Sequence, residues 1–127
     1  PRSDGTHTRD FIYMGDVAEL YLSIGEQLAD RKEIAGEVFN AGTNQPQQVR
    51  DVIKAIYGAL ENLDDYKIVE EQFVGKKTQG EIDCQFMDYE KVNNFFGWSP
   101  QTSFESGIQN TISWYKKYLQ ETEGSSF

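Results

Sequence analysis

Residues 9–22 read RDFIYMGDVAELYL. An arginine and an aspartate stand side by side at the head of a short apolar run, and a helical pattern opens behind a second aspartate. Arg9 to Met14 has the β-branched and aromatic content of a strand. Asp16 occupies the N-cap position of the helix behind it, and Glu19 three residues on completes a capping-box pair. Val17, Leu20, Tyr21, Ile24 and Leu28 then recur at helical spacing, which places them on one face. A strand that turns straight into a helix, with a cation at its mouth, predicts an α/β fold and suits an anion. A single arginine is weak support for the second inference.

Working outward, "GEVFNAGT" (36–43) sets Val38 and Phe39 between two glycines and reads as a second strand. The loop "GTNQP" leads into a helix whose stripe is Val49, Val52, Ile53, Ile56 and Leu60. "YKIVEE" (66–71) reads as a third short strand, and "QFVGKKTQGEIDCQ" (72–85) as a polar loop with a short extended end. Asp88 caps a short helix that Gly97 terminates in the manner of a left-handed C-cap. "WSP" is a turn. Ser103 caps a last helix on which Ile108, Ile112, Tyr115 and Leu119 recur. The expected architecture is therefore α/β, with short strands and about four helices in one unit over residues 1–120, and a flexible tail at 121–127.

With 127 residues, the chain is long enough for one real core. Its net charge of -9 repels phosphate backbones at long range, so general nucleic-acid binding is excluded and any anion needs a local cluster of cations. Cys84 is the sole cysteine and His7 the sole histidine, which argues against multi-thiolate zinc, histidine metal sites and Ser-His-Asp catalysis. No apolar run reaches the roughly 18 residues of a membrane span, so a reducing cytoplasm is the natural setting. The chain opens on Pro1 and not on methionine, which raises the expectation that it is part of a longer protein.

Catalytic motifs are missing from the sequence. There is no G-x-G-x-x-G cradle for a dinucleotide, no Walker loop, and none of the seven tyrosines has a lysine four residues later. The cations are more informative. Arg9 stands at a strand entry, and Lys76 and Lys77 lie in a glycine-flanked loop far away in sequence. A diphosphate needs donors that converge from separate segments, and these three can supply them. In the bland alternative, Arg9 pairs with Asp10 or another carboxylate and the lysines are solvated, the commoner fate of surface charge. His7 reads as an exposed strand-entry residue, Cys84 as a half-buried filler, and Asp64-Asp65 as a solvated loop pair. Trp98, Trp114, Phe95 and Phe96 read as packing anchors.

Taken together, "DGTHTRDFIYMGDVAELYL", "GEVFNAGTNQP" and "GEIDCQFMDYEKVNNFFGWSPQTSFESGIQNTISWYKKYL" resemble the C-terminal half of the extended short-chain dehydrogenase/reductases that act on nucleotide sugars. The likeness runs from Asp4 to about Leu119 in the family's order and spacing, and looks most like the CDP-glucose or GDP-mannose 4,6-dehydratase branch. It implies the C-terminal portion of a Rossmann-type enzyme, an NAD(P)-dependent epimerase or dehydratase. In such an enzyme a separate N-terminal domain holds NAD(P)+, which would accept hydride from sugar C4, and the Tyr-x-x-x-Lys pair, whose tyrosinate would act as base. This chain would bind no cofactor and would be inactive alone, its partners being that domain and a nucleoside-diphosphate sugar. By resemblance, the "EVFNAG" strand extends the Rossmann sheet, and Arg9 contacts the substrate's diphosphate. Thr78 falls where a second family arginine stands and Glu81 where its acidic partner stands, so Lys77 or Lys76 would have to replace that arginine. A lysine lacks the bidentate fork, and this departure leaves open an alternative: a non-catalytic anion-binding or protein-interaction module with the same fold.

Overall fold

The structure, a computed structural model, describes residues 3–76 and 80–123. Its helices follow from apolar spacing and from their caps. α1 (Met14–Leu28), α2 (Val49–Ala59), α4 (Glu90–Phe96) and α5 (Phe104–Glu123) lie where periodicity places them. The Asp88 carboxylate accepts the Glu90 N–H at 2.6 Å to start α4, and Gly97 ends it at a φ of 66°, a left-handed conformation costly for any residue with a Cβ. Ser103 Oγ accepts the Ser106 N–H at 3.2 Å at the head of α5. The expected tail at 121–127 overlaps α5, which runs to Glu123, and residues 124–127, which lie outside the described residues.

Asp16 departs from its expected role. α1 begins three residues earlier than a cap at Asp16 requires, with the Tyr13 carbonyl accepting the Asp16 N–H at 3.1 Å. The Asp16 side chain is instead buried, 4% exposed, and accepts the Thr102 N–H at 3.0 Å and the Thr102 hydroxyl at 2.8 Å. A buried carboxylate needs donors, and a chain segment folded back across it supplies two. Trp98 Nε1 donates to the Asp16 carbonyl at 3.1 Å, so residues 98–102 are clamped to the first turn of α1 from both ends. Trp98, Leu20 and Val92 form the core there, with Ile12, Ile24 and Phe39 packed against them.

The strands are shorter than expected and partly elsewhere. β1 (Thr8–Arg9) sits between β2 (Gln47–Gln48), to which it is antiparallel, and β3 (Cys84–Gln85), to which it is parallel. Thr8 faces Gln48 and Cys84, and Arg9 faces Gln47 and Gln85. Residues 10–13 and the expected strand at 36–43 have no ladder partner among the described residues, and apolar, β-branched content alone does not make a strand without one. The expected strand at 66–71 is part of α3 (Leu63–Glu71), capped by Asn62 and docked on α2 through Tyr66, whose ring lies 6.0 Å from that of Tyr57. The architecture is mixed α/β, with five α-helices and this three-stranded sheet among the described residues.

Several single-residue expectations also change. Cys84 is exposed on the edge strand β3, and Asp64 and Asp65 lie in the first turn of α3, where acidic groups suit the helix dipole. Tyr21 and Leu28 are exposed, so α1 buries a narrower stripe than its spacing suggests. Trp114 is 57% exposed and stacks on Tyr118, with centroids 5.1 Å apart and planes 7° from parallel. Phe95 and Phe96 do pack, edge-on to Phe39.

Candidate functional site

The two charged residues at the head of the first motif serve opposite ends of it. Asp10 knits backbone together. Its carboxylate accepts the N–H groups of Thr43, Asn44 and Met87 and the Thr43 hydroxyl, which joins residues 42–44 and 87 to the end of β1. Gly42 is required at this crossing, since a Cβ there would come within 2.8 Å of the Met87 carbonyl oxygen. Asp10 is thus taken up by backbone and hydroxyl donors and is not the ion-pair partner of Arg9.

Arg9 instead reaches across to the segment that enters β3. Its Nη1 donates to the Thr8 carbonyl at 2.7 Å and to the Ile82 carbonyl at 2.8 Å, and its Nη2 lies 3.4 Å from Glu81 Oε1. The guanidinium is thus aimed by two backbone oxygens, while its ion pair is at the long edge of hydrogen bonding. Arg9 and Glu81 remain 26% and 43% exposed at the side chain, so their contact is solvent-accessible.

His7 joins this pair, and here the expectation of an exposed strand-entry residue fails. It is 8% exposed, with Nε2 3.9 Å from Glu81 Oε2 and 3.8 Å from Asp83 Oδ1. The chain puts it there because the Gly5–Arg50 backbone hydrogen bond and the Thr8–Asp83 backbone hydrogen bond close over it from both sides of the sheet. A signal for this was present in "THTR": alternation in a strand turns His7 and Arg9 toward the same face. Of the sequence-derived site residues, Arg9 and Glu81 come together. Lys77 and Thr78 lie outside the described residues. Lys76 lies just beyond α3, where its N–H bonds the Phe73 carbonyl at 3.3 Å.

An open groove of about 680 Å³ runs on the other flank of the motif, between residues 11–14, α2 and α5, with Phe11, Tyr13, Ile56 and Ile108 in its walls. Among the described residues no group of three or more His, Cys, Asp or Glu is placed to hold a metal ion, and no helix is long and apolar enough to cross a membrane. Among the described residues, the Arg9 guanidinium is held by two backbone carbonyls and countered by the solvent-accessible Glu81 carboxylate.

A family model described as GDP-mannose 4,6 dehydratase matches residues 2–111. The trifunctional UDP-glucose 4,6-dehydratase/UDP-4-keto-6-deoxy-D-glucose 3,5-epimerase/UDP-4-keto-L-rhamnose-reductase of Arabidopsis thaliana is 33% identical over 112 residues, which is 88% of this chain and 15% of that protein. dTDP-glucose 4,6-dehydratase 1 of Escherichia coli (strain K12) is 32% identical over 114 residues, covering 87% of this chain and 30% of that one. The dTDP-glucose 4,6-dehydratase of Bacillus anthracis str. Ames, solved in complex with NAD, matches with a TM-score of 0.63 at 26% identity, over 91% of this chain and 33% of its own. The chain thus spans 15% and 30% of the length of the first two relatives.

Proposed function

Since the chain belongs to the GDP-mannose 4,6-dehydratase family, we propose that it is the substrate-gripping portion of a nucleotide-sugar 4,6-dehydratase, with Arg9 as the residue that meets the diphosphate. The observation that carries this reading is the Arg9 guanidinium itself. Two carbonyls fix one end of it, and among the described residues the other end faces a long, solvent-accessible contact with Glu81. A pyrophosphate oxygen in place of Glu81 would form a shorter, charge-assisted pair with a donor already oriented, so little side-chain entropy is lost on binding. Lys77, four residues before Glu81, is the second donor that the sequence offers.

NAD(P) does not fit the residues present. The chain has no glycine-rich turn for a pyrophosphate and no Tyr-x-x-x-Lys pair, so no step of the redox chemistry is assigned to it. Its contribution is binding energy remote from the reacting carbon, which orients the sugar for groups supplied by the rest of the enzyme. Losing such a contact raises KM more than it lowers kcat. In the intact protein, Arg9→Ala is expected to raise KM for the nucleotide sugar about tenfold or more, the effect of one charge-assisted hydrogen bond. Steady-state kinetics tests this, and a KM within about twofold of the parent's removes the assignment.

A further inference from the structure

α5 is docked along one half only. It packs on α2, with Gly107 buried and Phe104, Ile108 and Ile112 half-buried, whereas every residue from 113 to 122 is exposed. That second half is about 15 Å long at the α-helical rise. It is not a polar extension. Trp114, Tyr115, Tyr118 and Leu119 are each about half exposed, and the Trp114 ring stands edge-on to Tyr115 at 4.9 Å besides stacking on Tyr118. A contiguous aromatic patch of this kind marks an interaction site. We propose that this half of α5 pairs with the same half of a second copy, antiparallel, about a two-fold axis near Tyr118.

The charges on the face select that occupant. Trp114, Lys117, Tyr118 and Glu121 follow the i, i+3, i+4, i+7 spacing that puts them on one face. Turned end for end about Tyr118, the face brings Lys117 to within about two residues, roughly 3 Å along the helices, of the partner's Glu121. The symmetry repeats the pair on the other side of the axis. A parallel pair would set lysine on lysine and glutamate on glutamate, and would bring the two bodies side by side. Within one helix Lys117 and Glu121 lie 3.9 Å apart with both side chains largely exposed, so a second copy can share them without breaking a desolvated ion pair. The segment is also neutral where the chain is not. Lys116 and Lys117 balance Glu121 and Glu123, so this half carries none of the net charge of -9 that repels a second copy elsewhere.

The area sets the strength. Three aromatic side chains and a leucine, half exposed, offer roughly 400 Å² per copy, or about 800 Å² for the pair, below the roughly 1,200 Å² of stable complexes. The dimer is therefore a weak one, forming on the order of 10–100 µM and apart at the concentrations of emission spectroscopy.

Sedimentation velocity of the intact protein from about 1 to about 300 µM tests this. The weight-average mass is expected to rise across the range, whatever assembly the dilute protein already has. Tyr118→Glu should remove the rise, leaving association at least about tenfold weaker. Lys117→Glu and Glu121→Lys, each alone, bring like charges together across the axis and should each weaken association about fivefold. An equimolar mixture of those two variants restores both ion pairs and should associate as the parent does. A parent mass that does not change with concentration, a rise that Tyr118→Glu leaves intact, or a mixture no stronger than its components overturns the proposal. So does a dilute protein whose Trp114, identified by difference from Trp114→Phe, is shielded from acrylamide, because another part of the protein then covers the face.

Discussion

Trp98→Ala is expected to lower the unfolding temperature of the intact protein by on the order of 10–20 °C, measured by scanning calorimetry. Trp98 is 9% exposed and lies in the core with Leu20 and Val92, the latter fully buried. Its ring meets Tyr89 edge-on, with centroids 6.1 Å apart. Truncating such a side chain removes its transfer free energy and leaves a cavity, at about 3–5 kcal/mol together. It also leaves the Asp16 carbonyl without the indole donor. Trp98→Phe should recover most of the packing and lose that hydrogen bond, at a cost of about 1 kcal/mol. A drop below about 5 °C for the alanine variant would mean that the clamp between α1 and residues 98–102 contributes little.

Asp10→Ala is the second large effect, at about 2–4 kcal/mol, since hydrogen bonds to a charged acceptor are the stronger kind and three backbone N–H groups lose theirs together. The loss is local before it is global. Amide hydrogen exchange at Thr43, Asn44 and Met87 should accelerate well beyond the change at Val52 or Val92, because the carboxylate is what holds those three donors in place. Asp10→Asn keeps one carbonyl oxygen but turns a donor toward N–H groups, so it should recover only part of the protection. Uniform acceleration across the chain would contradict the local assignment.

Four of the five α-helices among the described residues were legible in the sequence because each carried its own evidence. Spacing and caps agreed at Ser103 and at Gly97, while Asp88 lies one residue before the N-cap Tyr89 and still accepts the Glu90 N–H, and none of these needs a distant partner. The strands were not legible for the complementary reason. "YKIVEE" alternates over too few residues to separate period 2 from a single buried position, and what decides it is Tyr66 docking on α2, with Asn62 capping the turn and Lys67 2.8 Å from Asp64. Asp16 fits a cap locally, yet it is taken by Thr102, 86 residues away. Within the candidate site, Arg9 and Glu81 were legible through the resemblance. His7 was legible only in direction, through the alternation in "THTR"; its burial comes from backbone closures at Gly5 and Asp83 that no short window contains.

The two tryptophans sit in opposite surroundings, one beneath the GW-x-P turn and one on the outer face of α5. In emission spectroscopy they would act as separate reporters. Acrylamide should quench Trp114 in the native protein while Trp98 stays shielded. With Trp114→Phe, the remaining emission should shift to the red only when the turn comes away from α1, giving the clamp an optical readout of its own.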